Sequence, residues 1–504
     1  MNRKNNLDYD FLSGLAIAGF TLLQVLRWKM FPQFMDFYYH IHTAWGFVQA
    51  GGYSSWDFWQ YAPFGRPHIY PPALHLLLAF FLKLGFSPVI LAKALEALLP
   101  PVFLFSVWFF IRKEYGRRLA LFFVITFASS MSFYLSLSNN IPATLALLCG
   151  IWAYSRLIHK KVFSAALLLA LSFYFHISVP WVFVLAFFFI ILFEKKSRKT
   201  TSVVLLLGLL LSLPVFYRQI TALRSVSLGG ALETQYSEFK PLEYALATIG
   251  IFYIWRLRRD LVFFISLLLG SFFLILYPYR FFSAQGYFPV ILLAASGLEG
   301  IVIYLSDKKI KKLLVLLLCC YLFFFSVTIF VPRIAENNAN PRAYLADTAF
   351  VDMLLPGHNP RLASTSLWYP DEYLYALRVI RENSSDAEII YSPSYFISVC
   401  LAAISGRATA GALFPEIGPS AEFDPFSVSR VIILTQDQRQ ENRDRIIARY
   451  GLRRLGESKI FAIYLNPSPS GKMQVKEASL TFAWVICIII FVVLAALILE
   501  RKTT

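Results

Sequence analysis

Asp36 lies just beyond the first long apolar run and is followed by Phe37-Tyr38-Tyr39-His40. Helical spacing would put the acid and His40 one turn apart on the same face. A carboxylate there could take a proton from a hydroxyl or hold a hard cation. The chain continues through Trp56-Asp57-Phe58-Trp59 and Tyr61-Ala62-Pro63-Phe64-Gly65-Arg66-Pro67-His68-Ile69-Tyr70-Pro71-Pro72, and four of its seven histidines (His40, His42, His68, His75) fall in or just beyond this stretch. Further on, Asn139-Asn140 offers two side-chain carbonyls, Glu233 and Glu238 two carboxylates, and Tyr277-Pro278-Tyr279-Arg280 a guanidinium. A guanidinium stays charged and can bind two phosphate oxygens at once. Each feature has a plainer reading. Asp36 could end a helix, the aromatics could form an interfacial belt, and Asn139-Asn140 could cap a helix. Glu233 and Glu238 could be solvated loop acids, and Arg280 could snorkel. His176 reads as a satisfied interfacial histidine rather than a catalytic one.

The elements that position these residues follow from composition. Of 504 residues, 58% are hydrophobic, 17% aromatic and only 15% charged, against about 25% charged in soluble domains. That excludes an ordinary soluble globule and a disordered chain. Unbroken runs such as Val203–Leu213 argue against a transmembrane β-barrel, whose strands alternate. An all-α polytopic membrane bundle remains. The net charge of +17 sits in short clusters between apolar runs, so it marks topology rather than a nucleic-acid partner. The five cysteines form neither a metal motif nor a disulfide framework.

Candidate spans cover 10–28, 89–112, 118–136, 141–156, 162–178, 179–194, 201–216, 242–256, 260–277, 283–304, 312–331 and 479–499. If the apolar stretch 71–86 lies in the interface, every strong basic cluster (112–118, 156–161, 195–199, 256–259, 308–312, 501–502) falls on the cytoplasmic side. The expectation is therefore about twelve spans with both termini inside. Outer loops 29–88 and 217–241 then belong to a bundle over 1–331. An extracytoplasmic α/β domain follows at 332–477, and 478–504 supply a last span and tail. Within the outer domain, helices are expected at 372–381 and 441–450, and strands at 388–391, 431–434 and 460–465.

The Asp36–His40 segment, the Tyr61–Arg66 segment and Tyr70-Pro71-Pro72 resemble the first external loop of oligosaccharyltransferase catalytic subunits. Those are GT-C membrane glycosyltransferases that use polyprenyl-linked sugars. The resemblance covers roughly residues 10–300 and implies a GT-C-like fold. It makes Asp36 the loop-one acid that is a metal ligand in oligosaccharyltransferases and a proposed base in their relatives. It makes Arg280 the lipid-phosphate arginine, and Glu233, or Glu238 in another register, the mobile-loop acid. Asp57 joins these as an acceptor- or metal-loop candidate. The chain departs from the pattern twice. Asn139-Asn140 stands where a second acidic motif is usual, and the Trp-Trp-Asp acceptor motif is replaced near Ile389–Phe396. Asn carbonyls bring no charge, so metal affinity should fall.

The resulting expectation is an inverting glycosyltransferase. It moves a sugar or glycan from a polyprenyl-phosphate or pyrophosphate donor to a glycan, lipid or protein acceptor on the extracytoplasmic face. Asp36 is the base, His40 orients it or meets the acceptor, and Arg280 holds the donor phosphate. The reading leaves a metal-independent reaction open beside one using Mn2+ or Mg2+ at Asp36. Protein N-glycosylation, a lipid or glycolipid transporter and a catalytically silent scaffold are the alternatives. The scarcity of acids inside the spans, Glu96 being the main exception, speaks against transport.

Overall fold

The structure, a computed structural model, describes residues 3–34, 36–222, 237–305, 308–331, 340–355, 370–414, 417–436 and 439–501. Helix α1 (Arg3–Leu26) carries the first apolar run, α2 (Phe37–Ala50) follows Asp36, α3 is Ala73–Lys83 and α4 is Pro88–Glu114. Pro88 opens α4 at its first turn, where the fixed φ of proline suits a helix start. Among the described residues five helices are long and apolar enough to cross a bilayer, or seven if each of two bent pairs is one span. The expectation of about twelve exceeds that number. Expected spans 162–178 and 179–194 are helices of 14 and 15 residues, shorter than the ~20 residues of an upright crossing.

Two expected spans depart from a single straight helix for physical causes, while 71–86 holds a helix too short to cross. The expected span 118–136 is broken into Arg117–Ala128 and Met131–Asn139, bent by 86°. Ser130 caps the second piece by accepting the Phe133 N–H at 3.2 Å. The stretch 71–86 contains only the 11-residue helix α3, about 16 Å long at ~1.5 Å per residue and too short for a ~30 Å hydrocarbon core. It buries Leu74, His75 and Leu78 on one side while Leu77 and Phe80 stay exposed, as a helix lying in an interface would. The expected span 312–331 leaves helical form before its end, because Thr328–Val331 is a strand between Ser237–Phe239 and Arg342–Tyr344. A short apolar run reads alike as helix or strand until a pairing partner is known.

With no water to expel between helices in lipid, small residues govern how closely helices pack. Gly250 and Gly297 bring Pro241–Leu257 and Phe288–Tyr304 together. A Cβ at Gly250 would sit 2.0 Å from the Leu293 carbonyl oxygen, and one at Gly297 2.0 Å from that of Leu246.

The part of the chain after residue 370 contains a five-stranded mixed sheet in the order 453–457, 461–465, 431–435, 389–391, 408–409. Helices Pro370–Asn383 and Gln440–Tyr450 occur where the sequence places them, as do strands 389–391, 431–435 and 461–465. Helix Tyr395–Ser405 and the strands at 408–409 and 453–457 were not foreseen. The 29–88 segment is fastened to this later part of the chain. Gly52–Tyr53 pairs with Leu480–Thr481, and α2 packs on Tyr395–Ser405.

Candidate active site

Asp36 occupies the N-cap position of α2 in helical conformation, but its side chain makes no capping bond. It is partly buried. Burial disfavours its charge and pushes its carboxyl up to about 6. The backbone leading to it is held by Glu96 of α4, whose carboxylate accepts the Gln33 N–H at 2.7 Å and the Phe34 N–H at 3.3 Å.

Arg280 lies on the short helix Pro278–Phe282, with its guanidinium over the Tyr277 ring at 5.2 Å. It donates to Gln285 Oε1 at 3.3 Å. None of the ion pairs among the described residues includes it. Tyr70 is within electrostatic reach of both Asp36 and Arg280. Tyr279 feels the charges of Asp36, Arg280 and Glu238, and its hydroxyl lies near the Asn140 side chain. Four residues singled out in the sequence (Asp36, Asn140, Glu238, Arg280) therefore gather around two tyrosines. Glu238 reaches the group from the buried middle of strand Ser237–Phe239. Asn140 makes no side-chain cap for Ile141–Ile158, so the helix-cap reading fails. The neighbouring Asn139 Oδ1 is buried without a hydrogen-bond partner. Glu233 lies outside the described residues.

Two candidates have other partners. Asp57 Oδ2 accepts from Arg66 Nε at 3.1 Å and Oδ1 from the Gln60 N–H at 3.0 Å. The same guanidinium donates to the carbonyls of Leu413, Phe414 and Ile417 at 2.8, 2.7 and 2.9 Å. The Asp57–Arg66 pair is thus a buried clasp between the 29–88 segment and the later part of the chain. His40 bonds through Nδ1 to His75 Nε2 at 2.9 Å, with the rings stacked. Burial holds His40 and His68 down at about 3, and His75 well below the usual histidine range. These imidazoles are neutral at physiological pH, and the Nδ1 of His40 is taken by His75. The His40 ring remains beside Tyr70, 5.3 Å between centroids. His176 Nδ1 accepts the N–H groups of Ser178 and Val179 at 3.1 and 3.2 Å, which makes it the satisfied histidine expected.

Sequence reasoning missed the placing of Tyr70 and Tyr279 at the centre and the contact of Glu96 with the Asp36 segment. Tyr70 and Tyr279 lay inside motifs already marked. Glu96 carried one signal, as an acid in an apolar run. Among the described residues no three His, Cys, Asp or Glu side chains are gathered to hold a metal ion.

The fold is similar to those of solved membrane glycosyltransferases. No protein-family model matches the sequence, and no curated protein matches it. Among solved structures, the apo oligosaccharyltransferase of Archaeoglobus fulgidus aligns with a TM-score of 0.57 at 11% identity, over 92% of this chain and 75% of that one. AglB from the same organism, in complex with an inhibitory peptide and a dolichol-phosphate, aligns at 0.50 and 11% identity, over 94% and 76% of the two chains. ArnT from Cupriavidus metallidurans, bound to undecaprenyl phosphate, aligns at 0.51 and 8% identity, over 90% and 97%. At these identities the likeness concerns the fold.

Proposed function

We propose that this protein is a membrane glycosyltransferase. It moves a sugar or glycan from a polyprenyl-phosphate or pyrophosphate donor to an acceptor on the extracytoplasmic face. The observation that carries the reading is the convergence of Asp36 and Arg280 on Tyr70 and Tyr279. Asp36 takes the proton of an acceptor hydroxyl. The freed oxygen attacks the anomeric carbon as the bond from that carbon to the phosphate oxygen breaks. The electron pair leaves on the lipid phosphate, where Arg280 balances the growing charge. One displacement by one base inverts the anomeric centre. Phosphate needs no protonation to leave, so the site needs no second acid of the kind glycosidases use. About twelve spans with both termini cytoplasmic would put this centre on the outer side. Dolichol-phosphate and undecaprenyl phosphate in the two neighbours support a lipid-phosphate donor.

The test is turnover of radiolabelled polyprenyl-linked sugars by the purified protein in nanodiscs. Transfer that depends on Asp36 supports the reading. Donor binding with no transfer to any glycan, lipid or peptide acceptor would leave a transporter or a silent scaffold as the better account.

A further inference from the structure

Glu96 raises a question that the transfer mechanism does not answer. It is fully buried on α4, a helix of spanning length. An acid in that setting is costly unless its oxygens are engaged. They accept two backbone N–H groups, those of Gln33 and Phe34. Residues 31–34 have no regular secondary structure, so Glu96 gives these two part-buried donors the acceptors that a helix or sheet would otherwise supply. The segment ends at Asp36. An aspartate at a helix N-cap ordinarily turns its carboxylate onto the first turn of its own helix. Asp36 makes no such bond.

Glu96 also reaches the other side of the centre, because its backbone carbonyl accepts the Ser138 hydroxyl at 2.9 Å. Ser138 directly precedes Asn139-Asn140, and the Asn140 side chain lies near Tyr279. One residue therefore fastens both segments that deliver polar groups to the site.

We propose that Glu96 is the positioning residue of the reaction centre: its carboxylate secures the 33–34 backbone, leaving the Asp36 carboxylate free of capping and aimed at the acceptor. The inference rests on the transferase reading. The two acids divide the work, Glu96 holding backbone and Asp36 handling the proton.

The experiment compares Glu96→Gln and Glu96→Ala with wild type in nanodiscs. It reads amide hydrogen exchange at 33–34, affinity for a polyprenyl-phosphate donor, and single-turnover transfer. Glutamine keeps the shape and one acceptor oxygen, so it should fold and lose part of the protection. Alanine should lose protection at 33–34. Its turnover should fall by about 10²-fold, the scale of a ~1 Å misplacement, while donor affinity stays at wild type. Glutamine should recover part of that loss. A rate held at wild type in Glu96→Ala despite lost protection would overturn the proposal. So would unchanged protection in both variants, or a defect confined to donor affinity. If Glu96→Ala does not fold, Glu96→Gln decides by the same measures. Lost protection in a protein whose wild type transfers no sugar would refute the transferase reading while supporting the anchoring role of Glu96.

Discussion

Removing the charge of Asp36 should make the protein more stable and less active. Burial raises this carboxyl from 3.8 to about 6, so the folded chain holds the proton more tightly than the unfolded chain does. The ionised folded form therefore carries a cost that is absent at low pH, grows as pH rises past the unfolded value, and is complete above about 6. At ~1.36 kcal/mol per tenfold change, that cost is about 3 kcal/mol at pH 7.5 and about 1 kcal/mol at pH 4.5. Asn is neutral at both. Asp36→Asn should then unfold later than wild type at pH 7.5, and the gain should shrink by roughly two-thirds at pH 4.5. Turnover should fall by about 10²–10⁴, with donor binding retained. Wild-type activity should itself fall on acidification with a midpoint near pH 6, where Asp36 takes up its proton. The assay is denaturant unfolding in nanodiscs at the two pH values, beside single-turnover transfer. A stability gain independent of pH, or wild-type turnover in the variant, would refute the reasoning.

Arg280→Lys keeps the charge but loses the planar fork, so donor affinity or leaving-group stabilisation should weaken. Combined with Asp36→Asn, it should cost much less than the two separate losses multiplied, since groups serving one transition state fail together; simple multiplication in single-turnover rates would separate their roles. EDTA should leave most of the activity, and complete loss restored by Mn2+ or Mg2+ would show that the site takes a metal after all. Arg66→Ala should destabilise by about 3–5 kcal/mol, because it strands a buried carboxylate and three carbonyls; an unchanged unfolding midpoint would contradict the clasp. In a cysteine-free background, Phe64→Cys should react with an impermeant reagent from outside and Lys113→Cys should not. Both side chains are exposed, and labelling of both from one side would refute the interfacial placing of α3.

The sequence pointed to Asp36 and Arg280 because type, neighbours and position relative to apolar runs are local properties. The same is true of the helix Pro370–Asn383, whose apolar periodicity needs no partner to be read. What stayed hidden depends on distant pairing. The strand at 328–331 exists because 237–239 and 342–344 flank it. His40 entered through the Asp36–His40 motif, and Asp57 as a candidate of the acceptor or metal loop. Their partners are His75 and Arg66, and nothing in a side chain's type announces which neighbour will claim it. The bend at Ser129-Ser130 was missed because hydropathy continues through it, while the cap that turns the chain is one hydroxyl.

The Asp57–Arg66 clasp has a consequence for how the molecule is made. Arg66 leaves the ribosome 347 residues before Leu413, its carbonyl partner. At roughly 5–20 residues per second that interval is about 20–70 s. Throughout it, this loop carries a guanidinium paired with Asp57 and Gln60 but lacking its three carbonyl acceptors, and a strand, Gly52–Tyr53, whose mate at 480–481 comes later still. The loop that presents Asp36 is thus tied down by segments made long after it. A nascent chain halted before residue 413 would offer quality control an unfinished clasp to recognise.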